Sequence, residues 1–393
     1  MPRVLRIINR LNLGGPTYNA AYLSKFMEPE FDTLLVSGMK DDEEESSEFI
    51  VRELDLHPVY VPDMYRELNP FKDYKSYYKL RKIIEEYKPD IVHTHAAKAG
   101  AVGRLAASHS GVPVIVHTFH GHVFHSYFNA AKTRVFLEIE RYLAKRTTKI
   151  IALSELQKQE LTETYKIAPA DKFQIVPLGF DLRKFGEHKQ EKRAAFRKQY
   201  RLDDAEVAIG IVGRLVPIKN HELFLKAIKS LLSRTTKTVR AFIVGDGEER
   251  ARLEALACEL GLTYRNADED KDAVVIFTSW IKQIDVSNAG MDIIALTSKN
   301  EGTPVSLIEA QASGKPIVST AVGGITDVVI PDETALLSPS GDVEGFAKNL
   351  ALLVNDESLR HKMSQSGVQH VYERFSHNRL CSDMRTLYNQ LLA

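Results

Sequence analysis

The chain has 393 residues, 44% of them hydrophobic and 26% charged, with 52 basic and 52 acidic side chains and two cysteines. That length accommodates two to three domains with ample core, and the balanced charge points away from nucleic acid as a partner. Cys258 and Cys381 stand too far apart for a disulfide framework or a zinc spacing, which fits a reducing compartment. No apolar run approaches the roughly 18 residues that a membrane-spanning helix needs, so the expectation is a cytoplasmic protein, at most peripheral on the inner face of a membrane. Residues 1–200 carry 31 basic and 26 acidic side chains and the remainder reverses that balance. The split is a weak lean toward an anionic acceptor or membrane surface.

The first ten residues, MPRVLRIINR, hold a buried strand, VLRII, with flanking charges, and do not read as a signal peptide. Gly14 and Gly15 then form a loop where backbone can approach a ligand, ahead of a helical stretch. TLLVSG (33–38) is a second strand and DDEEESSE (41–48) a solvated acidic loop. Residues 69–87 form an amphipathic helix with Phe71, Tyr74, Tyr78 and Ile83 among Lys72, Lys75, Lys79, Arg81 and Lys82. Such a helix can lie at a membrane interface, but the ordinary arrangement, with its aromatics packed on the sheet, is the expectation. PDIVHTH (89–95) and VPVIVHTFHGH (112–122) end in histidines at a strand's carboxyl end, where open α/β sheets bind ligands. His117, His120, His122 and His125 make a poor zinc set, because no cysteine, carboxylate set or H-x3-H helix accompanies them. TTKIIALSELQKQEL (147–161) is a strand and a helix capped by Ser154, with Glu155 in its first turn. FQIVPLGFDLRKF (173–185) closes this half, and the charged stretch 187–204 reads as an exposed interdomain helix and connector.

The second half opens with EVAIGIVGRLVPIKN, a strand running into Gly213, Arg214 and then Lys219. A forked donor and a point charge five residues apart across a loop suit a diphosphate. VRAFIVGDGEE is another strand and turn, and VVIFTSWI (274–281) a strand ending at Trp280 and Ile281, with Lys282 beyond. MDIIALTSKNEGTPVSLIEAQASGKPIVST (291–320) is a βαβ unit with Pro304 at the first helical position and Gly314 closing the helix. That helix's N-terminus offers free N–H groups and the positive end of its dipole, which favours phosphate. Glu301 and Glu309 flank the place, too far apart for a helical i,i+4 pair; one could reach a sugar and the other a ribose. Taken singly, each is equally well a helix-dipole acid or a solvated helix residue. From ALLSPSG (335) onward the chain reads as helical, ending with apolar spacing at Leu380, Met384, Leu387 and Leu391. Asp268-Glu269-Asp270 matches the D-x-D of metal-dependent transferases only formally, inside an acidic run that is not a strand.

Four phrases then combine: Glu301-Gly302-Thr303-Pro304 with Glu309-Ala310, Gly213-Arg214-Leu215 with Lys219-Asn220, Pro177-Leu178-Gly179-Phe180-Asp181, and Thr118-Phe119-His120-Gly121. Together they resemble the retaining glycosyltransferases of family 4, over essentially the whole chain and most closely in 205–325. The resemblance implies an α/β protein of the GT-B fold, two facing Rossmann-like domains with parallel sheets and a C-terminal helix returning to the first. It places an acceptor-side domain at 1–185, a linker at 186–204, a nucleotide-sugar domain at 205–375 and the crossover helix at 376–393. It further implies metal-independent, retaining transfer of a hexose from a nucleoside diphosphate sugar, UDP first, to a glycan, lipid-linked or small-molecule acceptor, with no cofactor. His120, Arg214, Lys219 and Glu301 would be catalytic. Gly213, Arg214, Lys219, Glu301, Gly302, Thr303, Pro304, Val305 and Glu309 would bind the donor, and Gly14-Gly15 would face the acceptor. The rivals are a sugar-nucleotide epimerase or phosphorylase of the same fold, or a sugar-nucleotide-binding protein without activity.

Overall fold

Short apolar runs alternating with helices are the pattern of parallel sheets covered on both faces, and here they build two of them. The computed structural model describes residues 1–12, 14–39, 47–65, 69–121, 130–269 and 272–393. One unit comprises residues 1–180 and 374–393, the other 181–373.

The first unit's sheet contains β1 (Arg3–Ile8), β2 (Asp32–Gly38), β3 (Val59–Val61), β4 (Ile91–His95), β5 (Val114–Thr118), β6 (Lys149–Ala152) and β7 (Phe173–Ile175). All pair in parallel, in the order β3-β2-β1-β4-β5-β6-β7. One face of the sheet is covered by the helix His377–Leu392, which places Leu380, Cys381, Met384, Leu387 and Tyr388 among Val4, Phe31, Ile91, Val116 and Ile151. Its entry is fixed by backbone: Phe180 N–H donates to the Phe375 carbonyl at 2.8 Å and His377 N–H to the Phe180 carbonyl at 3.0 Å. A Cβ at Gly179 would come within 2.5 Å of Leu380 Cβ, so this close approach requires glycine.

The second unit repeats the scheme with β8 (Val207–Val212), β9 (Val239–Val244), β10 (Tyr264–Asn266), β11 (Val275–Ser279), β12 (Ile293–Leu296), β13 (Ile317–Thr320) and β14 (Ala335–Ser338). The order is β10-β11-β9-β8-β12-β13-β14, again parallel throughout.

Four expectations change. Ala335–Ser338 is the edge strand β14, not the start of the helical tail. Val59–Val61 and Tyr264–Asn266 are additional three-residue edge strands, too short to carry a period. The stretch 187–204 belongs to the second unit: in the helix Lys189–Tyr200, Phe196 and Tyr200 are buried, and Arg193 and Arg197 pair with Asp292 at 2.8 and 3.4 Å. Finally, the helix Pro70–Tyr87, capped by Asn69, buries Leu80, Ile83 and Ile84 but leaves Phe71, Tyr74 and Tyr78 68%, 60% and 49% exposed. Those three rings do not pack on the sheet, whereas Tyr77 and Tyr87 of the same helix do. The acidic loop lies mostly outside the described residues.

Candidate active site

Each sheet changes the direction of its strand order beside its first strand, between β1 and β4 and between β8 and β12. Loops leaving neighbouring strands at such a reversal diverge to opposite faces, and the opening between them binds ligands in open α/β sheets.

In the second unit, β8 runs into Gly213 and then a loop pinned by the fully buried Leu215. Leu215 N–H donates to the Asp246 carbonyl and its own carbonyl accepts from Glu249 N–H, both at 3.0 Å. A single helical turn, Pro217–Lys219, ends at Asn220 with φ +52°, a left-handed conformation that asparagine tolerates better than most residues. The β12 loop is stitched to this turn. Thr297 Oγ1 donates to the Lys219 and Asn220 carbonyls at 3.0 Å each, and Lys299 N–H donates to the Ile218 carbonyl at 2.8 Å. Across the seam Lys219 Nζ meets Glu301 Oε1 at 2.5 Å, and Ser298 Oγ donates to the same oxygen at 2.6 Å. The Glu301 side chain is only 10% exposed. Gly324 N–H donates to the Glu301 carbonyl at 2.9 Å, and a Cβ on Gly323 or Gly324 would strike the backbone of Glu301 or Gly302. The sequence Gly323-Gly324 therefore exists to let two loops touch.

Beyond Gly302 and Thr303 the helix Val305–Ala312 starts at Pro304, which is its cap residue and not its first turn, and no side chain caps it. The N–H groups of Val305 and Ser306 thus have no intrahelical partner, while those of Leu307 and Ile308 donate to the Pro304 carbonyl. The Arg214 side chain is exposed and, among the described residues, has no hydrogen bond or ion pair. Glu309, partly exposed, has its carboxyl pK pushed up to about 7 by burial, with nearby Lys184 pulling it down and Asp285 pushing it up. Trp280, 58% exposed, stands at the end of β11.

In the first unit Gly14 caps the helix Gly15–Phe26 after β1. His120 lies two residues past β5, partly buried, with its pK pushed down to about 3 by burial. His95 Nδ1 lies 2.9 Å from His120 Nε2, while His120 Nδ1 is buried and, among the described residues, has no partner. Behind His95 the side chains continue into the sheet. Arg6, wholly buried, sends Nη1 to His93 Nδ1 at 2.9 Å, to the Tyr388 hydroxyl at 3.3 Å and toward His95 Nε2 at 3.5 Å. His93 Nε2 lies 2.7 Å from Thr118 Oγ1. His117 faces the other way, to Thr94 Oγ1 at 2.8 Å. His122, His125 and Asp270 lie outside the described residues.

The structure therefore brings Gly213, Lys219, Glu301, Gly302, Thr303, Pro304 and Val305 together in the second unit, with Glu309 further along the same helix. Gly14, Gly15 and His120 lie at the carboxyl end of the first unit's sheet. Three contributors were not singled out from sequence: Ser298, His95 and Arg6. Arg6 had a signal, a charge in the middle of the apolar VLRII.

Two seven-stranded parallel sheets, each with its loops gathered at a strand-order reversal, define the GT-B architecture. The UDP complex of HepE from Anabaena shares this architecture, with a TM-score of 0.80 over 99% of this chain and 100% of that one at 18% identity. The family model for glycosyl transferases group 1 matches residues 192–370, and that for glycosyltransferase family 4 matches residues 14–184. An Escherichia coli UDP-Gal:alpha-D-GlcNAc-diphosphoundecaprenol alpha-1,3-galactosyltransferase is 30% identical over 84% of this chain and 82% of its own length. The capsular polysaccharide biosynthesis glycosyltransferase CapM of Staphylococcus aureus is 26% identical over 87% of each chain. The chain belongs to glycosyltransferase family 4. No helix among the described residues is long and apolar enough to cross a membrane.

Proposed function

We propose that this glycosyltransferase moves a hexose from a UDP-sugar to a lipid-linked or glycan acceptor with retention of anomeric configuration and without a metal ion. The observation that carries the reading is the Lys219–Glu301 pair, fixed by Ser298 beside an uncapped helix N-terminus. Cleavage of the donor's C1–O bond builds negative charge on the departing diphosphate, and positioned cations and N–H dipoles stabilise it as it forms. Lys219, the unpaired Arg214 and the N–H groups at Val305 supply that potential, which a cation supplies in metal-dependent transferases. Glu301, already held by Lys219 and Ser298, is suited to accept hydrogen bonds from sugar hydroxyls rather than to attack C1. The acceptor oxygen then bonds to C1 on the face the diphosphate leaves, and its proton passes to the departing phosphate oxygen. Glu309 would bind the ribose and His120 the transferred sugar, while the exposed Trp280 offers a face on which a base can stack.

A lipid-linked acceptor places the work at a membrane surface. The helix Pro70–Tyr87 supports that location, since Phe71, Tyr74 and Tyr78 share its exposed side with Lys72, Lys75, Lys79 and Lys82. Aromatic rings and lysines together suit an anionic bilayer interface.

The test is turnover with UDP-galactose, UDP-glucose and GDP-mannose on an undecaprenyl-diphosphate sugar, with and without EDTA, the product's anomeric configuration being read by NMR. The expected result is an α-linked product from a UDP-sugar at unchanged rate in EDTA. Inversion, or loss of turnover that Mn²⁺ restores, rules the mechanism out.

A further inference from the structure

Arg6 is a fully buried cation, and among the described residues no carboxylate pairs with it. Its partners at Nη1 are instead two imidazoles and a phenol. A charge so placed is costly unless its donors are used, and at Nη1 they are, while Nε is buried and, among the described residues, without a partner.

An arginine only donates. At 2.9 Å from His93 Nδ1 it therefore requires that nitrogen to be bare. Burial and the neighbouring Arg6 charge hold His93 neutral, so its proton sits on Nε2 and donates to Thr118 Oγ1. The same Nη1 points at His95 Nε2 at 3.5 Å, where a second N–H would set two donors against each other. His95, also neutral through burial, then carries its proton on Nδ1 and donates to His120 Nε2 at 2.9 Å. His120 is neutral for the same cause, which leaves its own proton on Nδ1. That atom is the buried one without a partner among the described residues.

The fold explains why the chain of contacts is straight. Arg6 pairs with His93 across β1 and β4, and His95 with Thr118 across β4 and β5. Residues two apart along a strand share a face, so Arg6, His93, His95 and His120 form one row toward the carboxyl edge. The rings follow one another tilted by 32° and 30°, with centroids 4.2 Å apart for His93 and His95 and 5.1 Å for His95 and His120.

We propose that Arg6, acting through His95, sets the tautomer of His120, so that His120 meets the transferred sugar as an Nδ1–H hydrogen-bond donor and not as a general base. Arg6 and His95 are positioning residues; this rests on the reading above that His120 contacts the sugar. The isolated imidazole in water favours the proton on Nε2, so the arrangement acts against the ring's own preference.

The test uses the full chain labelled with 15N-histidine, in which protonated and bare ring nitrogens resonate far apart, the His120 signals being assigned by their loss in His120→Ala. The wild type is expected to show His120 protonated on Nδ1. In His95→Phe the proton should move to Nε2 and kcat should fall about tenfold, with the donor KM within twofold. In His95→Gln, whose amide can accept from Arg6 and donate to His120, the Nδ1 form and most of kcat should return. A wild-type His120 protonated on Nε2 overturns the proposal, as does a His95→Phe enzyme with undiminished kcat. Should His95→Phe fail to fold, the wild-type and His95→Gln spectra still decide. Normal turnover by His120→Ala, with the spectra as expected, removes the sugar contact while leaving the tautomer assignment standing.

Discussion

Glu309→Gln separates the needs of the fold from those of the site. Burial pushes the Glu309 carboxyl from an ordinary 4.5 to about 7. The folded state thus holds that proton more tightly than the unfolded chain does, and stability from this group is lost as pH rises from about 4.5 to about 7. At 1.36 kcal/mol per pH unit the ceiling is about 3 kcal/mol, and the residue's partial exposure reduces the expected figure to about 1–2 kcal/mol. Glutamine keeps the shape without the charge. Glu309→Gln should therefore be more stable than the wild type at pH 8, by roughly 3–6 °C in Tm for a unit of this size. At pH 4 the gain should vanish. UDP should bind the variant about 10- to 100-fold more weakly, the worth of a hydrogen bond to a charged acceptor. Calorimetric melting at the two pH values, with and without UDP, reads all three quantities. A variant less stable than wild type at pH 8, or equally helped at both pH values, refutes the reasoning.

Lys219→Ala should lower kcat by at least about 10²-fold, because its charge matters most as the leaving diphosphate forms, while calorimetry shows UDP affinity falling less. Arg214→Ala should reduce both, again with kcat falling further than affinity in the same paired measurements. His120→Ala should keep UDP affinity within a few-fold and lose roughly 10²-fold in kcat by steady-state assay, the cost of a lost positioned polar group. Replacing Phe71, Tyr74 and Tyr78 together by serine should abolish co-sedimentation with phosphatidylglycerol vesicles. Turnover on a water-soluble acceptor should not change, and retained sedimentation counts against this face.

Much of the second unit could be read directly from residues. The strand after Met291, the loop, the helix and its glycine stop follow local rules, and Lys219 and Glu301 meet because two neighbouring strands end side by side. The helix start moved by one residue, Pro304 being the cap and Val305 the first helical residue. What could not be read depends on tertiary neighbours. Period alone does not say which side of the helix Pro70–Tyr87 meets the sheet: Ser76, Leu80, Ile83 and Ile84 do so, and Phe71, Tyr74 and Tyr78 lie on the other side. The highly charged stretch 187–204 read as a connector because its charges outnumber its apolar residues, yet Phe196 fits against Gly290 and the arginines pair with Asp292. Arg6 in VLRII and the alternating histidines of HTH were visible as residue types, but only strand order makes them neighbours.

The placement of Tyr388 beside His93 and Arg6 has a consequence for how the molecule is made. Residues 1–180 emerge from the ribosome nearly two hundred residues before the segment 374–393 that closes their core. Until then Val4, Phe31, Ile91 and Val116 lack the cover that Met384, Leu387 and Tyr388 provide, and the buried Arg6 lacks one of its acceptors. Residues 181–373 are under no such delay, so the unit translated second should be the first to become protease-resistant, an order that limited digestion of stalled nascent chains would reveal.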